Sequence, residues 1–293
     1  MHSSAIVFIL GCLCTLVLCR NPPPSVRTDG EEIFWLHIPK TASTFSLSIQ
    51  SVCQEDWFWN ALGDNWEKTA SNMYPHKGCY MLPVEGFNLT CHWTCRFDHH
   101  HKPLPKLWPS SMWVTVLREP KARLVSSFLD AHFLELSLES REKVGFHDRK
   151  EMHHFYSLIK ENPDIAIDLF RNYSSLPEVQ GCMVKMLTGW PCNSPLDLDA
   201  KLLARAVTKL NQLRFFGIFE QYNETLNMFH RQMRPNSSRP PHPIELKHFR
   251  SSDTYGLPSD LKERLLAVPH TDVWDEALYQ EAVLLFNARH REA

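Results

Sequence analysis

The stretch from Phe34 to Phe45, Phe-Trp-Leu-His-Ile-Pro-Lys-Thr-Ala-Ser-Thr-Phe, most constrains what this chain folds into. Ile33 to Ile38 is mostly apolar and β-favouring, the pattern of a central parallel strand buried on both faces. Pro39 ends the strand, because it cannot donate to a ladder. Thr41, Ser43 and Thr44 then supply hydroxyls and backbone amides where a helix begins. A helix N-terminus carries unpaired N–H groups and the positive end of the dipole, so this junction suits a phosphate or sulfate. Lys40 adds a mobile cation at the same point. The Gly-rich G-x-x-x-x-G-K-[ST] loop of nucleotide kinases is absent.

A second junction repeats the pattern. Met112 to Leu117 reads as another buried strand and runs into Arg118-Glu119-Pro120-Lys121-Ala122-Arg123-Leu124-Val125-Ser126. Pro120 suits the first turn of a helix, where its missing N–H costs nothing. Arg118 falls at the strand end and Ser126 about two turns into the helix. An arginine recognises phosphate through two parallel N–H bonds, and a serine adds a hydroxyl donor. Arg123 is basic too and reads as a binding or a solvated helix residue.

Pro39 to Thr44 resembles the 5′-phosphosulfate loop of Golgi carbohydrate sulfotransferases, which use 3′-phosphoadenosine 5′-phosphosulfate (PAPS) as donor. Arg118 and Ser126 are similar in type and spacing to that family's 3′-phosphate motif. Leu213 to Leu226, Gln180 to Gly189 and Asp275 to Arg289 resemble its late strand and helix, an earlier helix and its closing helix. In style the chain is nearest the heparan sulfate 2-O- and 6-O-sulfotransferases, with a divergent middle. The resemblance implies an α/β chain with a P-loop NTPase-like sulfotransferase fold, a central parallel sheet flanked by helices. It implies that Pro39, Lys40, Thr41, Ala42, Ser43, Thr44 and Phe45 hold the 5′-phosphosulfate, and Arg118 and Ser126 the 3′-phosphate. The expected reaction moves a sulfuryl group to a carbohydrate hydroxyl. Lys40 would stabilise charge on the bridging oxygen. His92, in Cys91-His92-Trp93, would take the acceptor's proton, with His37 as the rival. Two other classes compete: a luminal nucleotide- or glycan-binding protein of the same fold without activity, and a P-loop kinase-like enzyme.

At 293 residues the chain is long enough for one large α/β core. Its formal charge of −2 excludes a broadly basic, nucleic-acid-binding protein. A polyanionic acceptor would need a local basic cleft, to which Lys102 and Lys106, beside His99-His100-His101, are candidates. Adjacent histidines cannot easily converge on one ion, so no metal is expected.

Ala5 to Cys19 is an uninterrupted apolar run of about 15 residues, short for a span and matched to a signal-peptide core. Residues 1–20 are therefore read as a signal-anchor or signal peptide, 21–30 as a short linker and 31–293 as the luminal domain. The expected setting is the Golgi membrane, single-pass type II, or secretion after cleavage. Asn88, Asn172, Asn223 and Asn236 each open an N-glycosylation tripeptide. Six cysteines follow the apolar run, an even number that favours disulfides in an oxidising compartment. Cys182 and Cys192, on either side of a helix end and the Gly189-Trp190-Pro191 turn, are the favoured pair. Cys91–Cys95 is a second possibility. Further expectations are a helix to Cys53, strands near 79–82 and 89–92, helices from Pro120 to Leu213 including 196–213, a strand over Phe215 to Phe219 and a surface loop over 234–258. Trp57, Phe58, Trp59 and Trp66 read as core, with a sugar platform as the alternative. The partners expected are a glycan acceptor, PAPS and a membrane; oligomeric state is left open.

Overall fold

A computed structural model describes residues 27–28, 31–32, 34–42, 44–53, 74–76, 79–81, 102–105, 113–132, 136–146, 152–235, 239–246, 256–269 and 272–292. Strands β1 (Arg27–Thr28) and β2 (Glu31–Glu32) pair antiparallel, so pairing starts inside the stretch read as linker. β3 (Phe34–Trp35) leads through the Pro39-Lys40 turn into α1 (Phe45–Cys53). β4 (Tyr74–His76) and β5 (Cys79–Met81) form a second antiparallel pair. β6 (Trp113–Leu117) runs into α2 (Pro120–Leu129). Then come α3 (Leu138–Lys143), α4 (Met152–Glu161), α5 (Pro163–Ser174), α6 (Cys182–Thr188) and α7 (Ala200–Gln212). β7 (Phe215–Ile218), α8 (Tyr222–Met233), α9 (Leu261–Ala267) and α10 (Val273–Glu292) complete the order.

The architecture is α/β: a small parallel sheet among many helices. Its order is β3-β6-β7, with Trp35 opposite Val114 and Val114 opposite Phe215. Every residue of β6 and β7 is buried, as continuous apolar runs in a parallel sheet require. The Leu36 amide donates to the Val114 carbonyl at 2.9 Å, and the Thr115 hydroxyl donates to the Leu36 carbonyl at 2.8 Å. The Thr115 hydroxyl thus finds a partner inside the core.

Phe45 opens α1 and drops into the core, 4.8 Å from the Phe229 ring and 6.3 Å from Phe215. Gly217 lets α8 approach β7: a Cβ there would sit 2.1 Å from Thr225 Cγ2. The Thr225 hydroxyl accepts from the Ile218 amide at 2.9 Å and donates to the Ile218 carbonyl at 2.8 Å. A second core gathers Phe128, Phe146, Phe155 and Phe170 with Leu261 and Leu265, so α2 joins the sheet to a helical layer.

A buried ionic network ties α2, α6 and α10 together. Arg123, read as binding or solvated, is instead 1% exposed and lies 3.5 Å from the fully buried Asp275 carboxylate. Asp275 accepts the Met183 and Val184 amides at 3.0 Å each, and Asp272 accepts the Gly181 amide at 2.7 Å. Two carboxylates of α10 and its approach thereby cap the N-terminus of α6. Burial, then the Asp272 charge, push Asp275 up to about 7 against the pull of Arg123 and the two amides. The Lys185 ammonium donates to the Pro177 carbonyl at 2.6 Å, and burial pulls it down to about 8. The Cys182–Cys192 disulfide closes the same region, as expected from the sequence.

Elsewhere the sequence expectation shifts. The helix expected over 196–213 starts at Ala200, because the Asp199 carboxylate caps it by accepting the Leu202 amide at 2.7 Å. The 234–258 stretch is not all surface. Its short helical turn Pro243–Leu246 buries Ile244 and Glu245, and Glu245 bonds His230 at 2.8 Å and accepts the Ser51 hydroxyl at 3.2 Å. Asn172 and Asn223 are exposed; Asn88 and Asn236, like the strand expected near 89–92, Cys91–Cys95, Trp57, Phe58, Trp59 and Trp66, lie outside the described residues. Among the described residues no helix is long and apolar enough to cross a membrane, and Ala5 to Cys19 is not among them.

Removing one partner of a buried ion pair leaves the other charge uncompensated. Asp275→Ala is therefore expected to cost about 3 to 5 kcal/mol, read as a lower unfolding midpoint in urea. A midpoint shift below about 1 kcal/mol would show that the network is not what joins these helices.

Candidate functional site

Because β3, β6 and β7 are parallel, their carboxyl ends meet along one sheet edge. Lys40 follows β3, Arg118 follows β6, and Phe219 with Glu220 follow β7. Lys40 has φ of 63°, a left-handed conformation that costs a non-glycine residue roughly 1 kcal/mol or more. Its carbonyl is held by Arg118 Nη1, which donates at 3.1 Å. The Arg118 guanidinium lies 4.8 Å above the Phe219 ring. Burial pulls the Arg118 pKa down, the Glu220 and Glu119 carboxylates pull it back, and an arginine stays charged throughout.

Glu119 caps α2, its two oxygens accepting the Lys121 amide at 3.0 Å and the Ala122 amide at 2.6 Å. Its own amide donates to Glu220 at 3.1 Å, and the Tyr279 hydroxyl donates to the other Glu220 oxygen at 2.7 Å. One carboxylate after β7 thus clamps the end of β6 to α10. Burial, reinforced by Glu220, pushes Tyr279 well above the ordinary phenol range.

The Lys40 ammonium forms a 2.9 Å ion pair with Asp130, which caps the C-terminus of α2. His132 Nε2 lies 3.4 Å from the same Asp130 oxygen. Burial opposes ionisation of Asp130, but His132 and Lys40 outweigh it and hold the carboxyl well below the usual range. Ala131, between the two, also has a positive φ, 54°. Beside this cluster opens a cavity of about 390 Å³ lined by Pro39, His132, Ser127, Tyr173, Glu178 and Asn193, among others.

The structure brings Lys40 and Arg118 together across 78 positions of sequence. Ser126 is half-buried on α2. Thr44 stands half-buried just before α1, where the Phe45 amide donates to the Ala42 carbonyl and the Leu47 amide to the Thr44 carbonyl, both at 3.0 Å. Thr41 differs from the expectation: its hydroxyl donates to the Ile38 carbonyl at 2.9 Å and it is 3% exposed, so it fixes the turn rather than facing a ligand. Ala42 and Phe45 bury their side chains, and the Phe45 amide donates to the Ala42 carbonyl at 3.0 Å. His37 stacks on Trp35 with ring centroids 4.2 Å apart and belongs to the core. Ser43 and His92 lie outside the described residues, as do Lys106 and His99-His100-His101; Lys102 is exposed. Among the described residues no group of three His, Cys, Asp or Glu is placed to hold a metal.

The sequence reading missed Asp130, His132, Glu220 and Tyr279. Asp130 was within reach, since it lies four positions after Ser126 and therefore on the same face of α2. Glu220 and Tyr279 carried no local signal; only the packing of α10 pairs them. No protein-family model matches this chain, and a search of curated proteins finds none that matches it.

Asp130 neutralises Lys40 in the resting state. Asp130→Asn should therefore tighten binding of an anion at Lys40, probed with 3′-phosphoadenosine 5′-phosphate (PAP), about fivefold or more, since one charge removed about 4 Å away is worth about 1 kcal/mol even in bulk water. Calorimetric titration checks this; unchanged or weaker binding would place the anion away from Lys40.

Proposed function

We propose that the chain is a PAPS-dependent sulfotransferase moving a sulfuryl group to a carbohydrate hydroxyl in the secretory pathway, on a P-loop NTPase-like sulfotransferase fold. The observation that carries this reading is the Arg118-to-Lys40 hydrogen bond. It holds the two strand-to-helix junctions side by side on one sheet edge, which supports a donor with phosphate groups at both ends. Arg118 and the half-buried Ser126 bind the 3′-phosphate. The Lys40 ammonium meets the phosphosulfate, with the positive dipole end of α1 beside it. As the sulfur–oxygen bond to the leaving phosphate breaks, charge builds on the bridging oxygen, and a fixed ammonium stabilises it without reorganisation. His92 takes the acceptor's proton as its oxygen bonds to sulfur. The disulfide, the exposed Asn172 and Asn223 and the apolar N-terminal run support a luminal, glycosylated domain.

Labelled PAPS offered with a panel of glycans should yield sulfated glycan. Arg118→Ala should weaken PAP binding by about 2 kcal/mol or more. His92→Ala should cut turnover about 10²-fold or more while PAP affinity stays near normal. Absence of both PAP binding and transfer would overturn the assignment. Near-normal turnover of the His92 variant would move the base elsewhere and leave the rest standing.

A further inference from the structure

The cavity beside the Lys40 turn opens next to the catalytic edge. Pro39 lines it and immediately precedes Lys40. His132, on its wall, is 3.4 Å from the Asp130 carboxylate, which is itself 2.9 Å from the Lys40 ammonium. One carboxylate therefore separates the cavity wall from the cation. The volume, about 390 Å³, falls within the range of small-molecule sites, roughly 300–1,000 Å³.

Its lining has a definite chemistry. The Tyr173 hydroxyl donates to Ser127 Oγ at 2.8 Å, which leaves Ser127 its own proton to give. Glu178 accepts the Ser140 hydroxyl on Oε1 at 2.5 Å and keeps Oε2 for a ligand, and Asn193 offers an amide with both donors and an acceptor. Leu136 and Val179 add apolar surface. The guanidinium in the wall, Arg123, is answered by Asp275 at 3.5 Å and donates to the Val179 carbonyl at 3.4 Å. Among the described lining residues no uncompensated cation is left to meet a uronate or sulfate, and Glu178 repels one.

We infer that this cavity is the acceptor subsite and that it takes a neutral sugar, its hydroxyls bonded by Ser127, Glu178 and Asn193 and its apolar face against Leu136 and Val179. The inference rests on the sulfotransferase reading and departs from the heparan-like acceptor that the motifs resemble, because a polyuronate would meet a carboxylate here. Mixed hydroxyl, carboxylate and amide groups beside aliphatic side chains match a sugar ring, which presents hydroxyls at its rim and C–H groups on its faces.

The test uses the full chain with labelled PAPS and two kinds of acceptor: neutral disaccharides (lactose, N-acetyllactosamine, chitobiose) and heparosan, an unsulfated uronate polymer. At least one neutral disaccharide is expected to be sulfated with kcat/KM about tenfold or more above heparosan. Asn193→Trp, a change on an exposed loop, should raise KM for that disaccharide about tenfold while PAP affinity is unchanged. Glu178→Lys should shift preference toward heparosan. A wild-type preference for heparosan, or an unchanged KM in the Asn193→Trp variant, would overturn the cavity assignment while PAP binding and sulfate transfer still upheld the sulfotransferase reading. Failure to bind PAP and to sulfate any acceptor would overturn both.

Discussion

Parallel pairing of Trp113–Leu117 with a strand on each side is the constraint on which the rest of this molecule depends. Parallel strands end on the same edge, so residues far apart in sequence are delivered to one line. The register that sets Trp35 against Val114, and Val114 against Phe215, decides which residues arrive there. A register slip of one residue would exchange the two faces of β6, and with β6 and β7 wholly buried it would disrupt the packing on both sides of the sheet.

The edge also carries the chain's conformational cost. Lys40 sits in the left-handed region, and Arg118 bonds the carbonyl that this conformation presents. The strain is tolerable because neighbours over-determine it: the Thr41 hydroxyl closes the turn from one side and Arg118 holds it from the other. Lys40 is meanwhile paired with Asp130 at the end of the helix that Arg118 precedes. The carboxylate holds the ammonium in place, and any anion entering here would compete with it. Glu220, on the edge itself, fixes α10 against the sheet, and Asp275, away from the edge, fixes α10 against α6.

Much of the scaffold was legible in the sequence because its signals are local. Apolar runs ended by Pro39 and by Arg118-Glu119-Pro120 marked two strand-to-helix junctions. The second stands where the pattern put it, whereas the first strand is shorter than expected, Phe34–Trp35, and lies at one side of the three-stranded sheet with β6 at the centre. The Cys182–Cys192 bridge was legible from the turn it closes. What escaped depends on partners distant in sequence. Arg123 looks like any helix-surface arginine until Asp275, 152 positions later, is packed against it. Asp130 reads as an ordinary helix-end aspartate until β3 brings Lys40 to it. The Thr41 hydroxyl was read as a ligand donor because sequence cannot say which way a turn residue points, and the Ile38 carbonyl claimed it.

The central claim is that this edge binds a nucleotide carrying phosphate at both the 3′ and the 5′ position. Calorimetry on the unmodified chain, comparing PAP with adenosine 5′-monophosphate, tests it most directly, because the two differ by the 3′-phosphate alone. Charge-assisted bonds from Arg118 and Ser126 predict that PAP binds about 2 kcal/mol or more tighter, roughly 30-fold. Equal affinities, or no binding of either nucleotide, would contradict it.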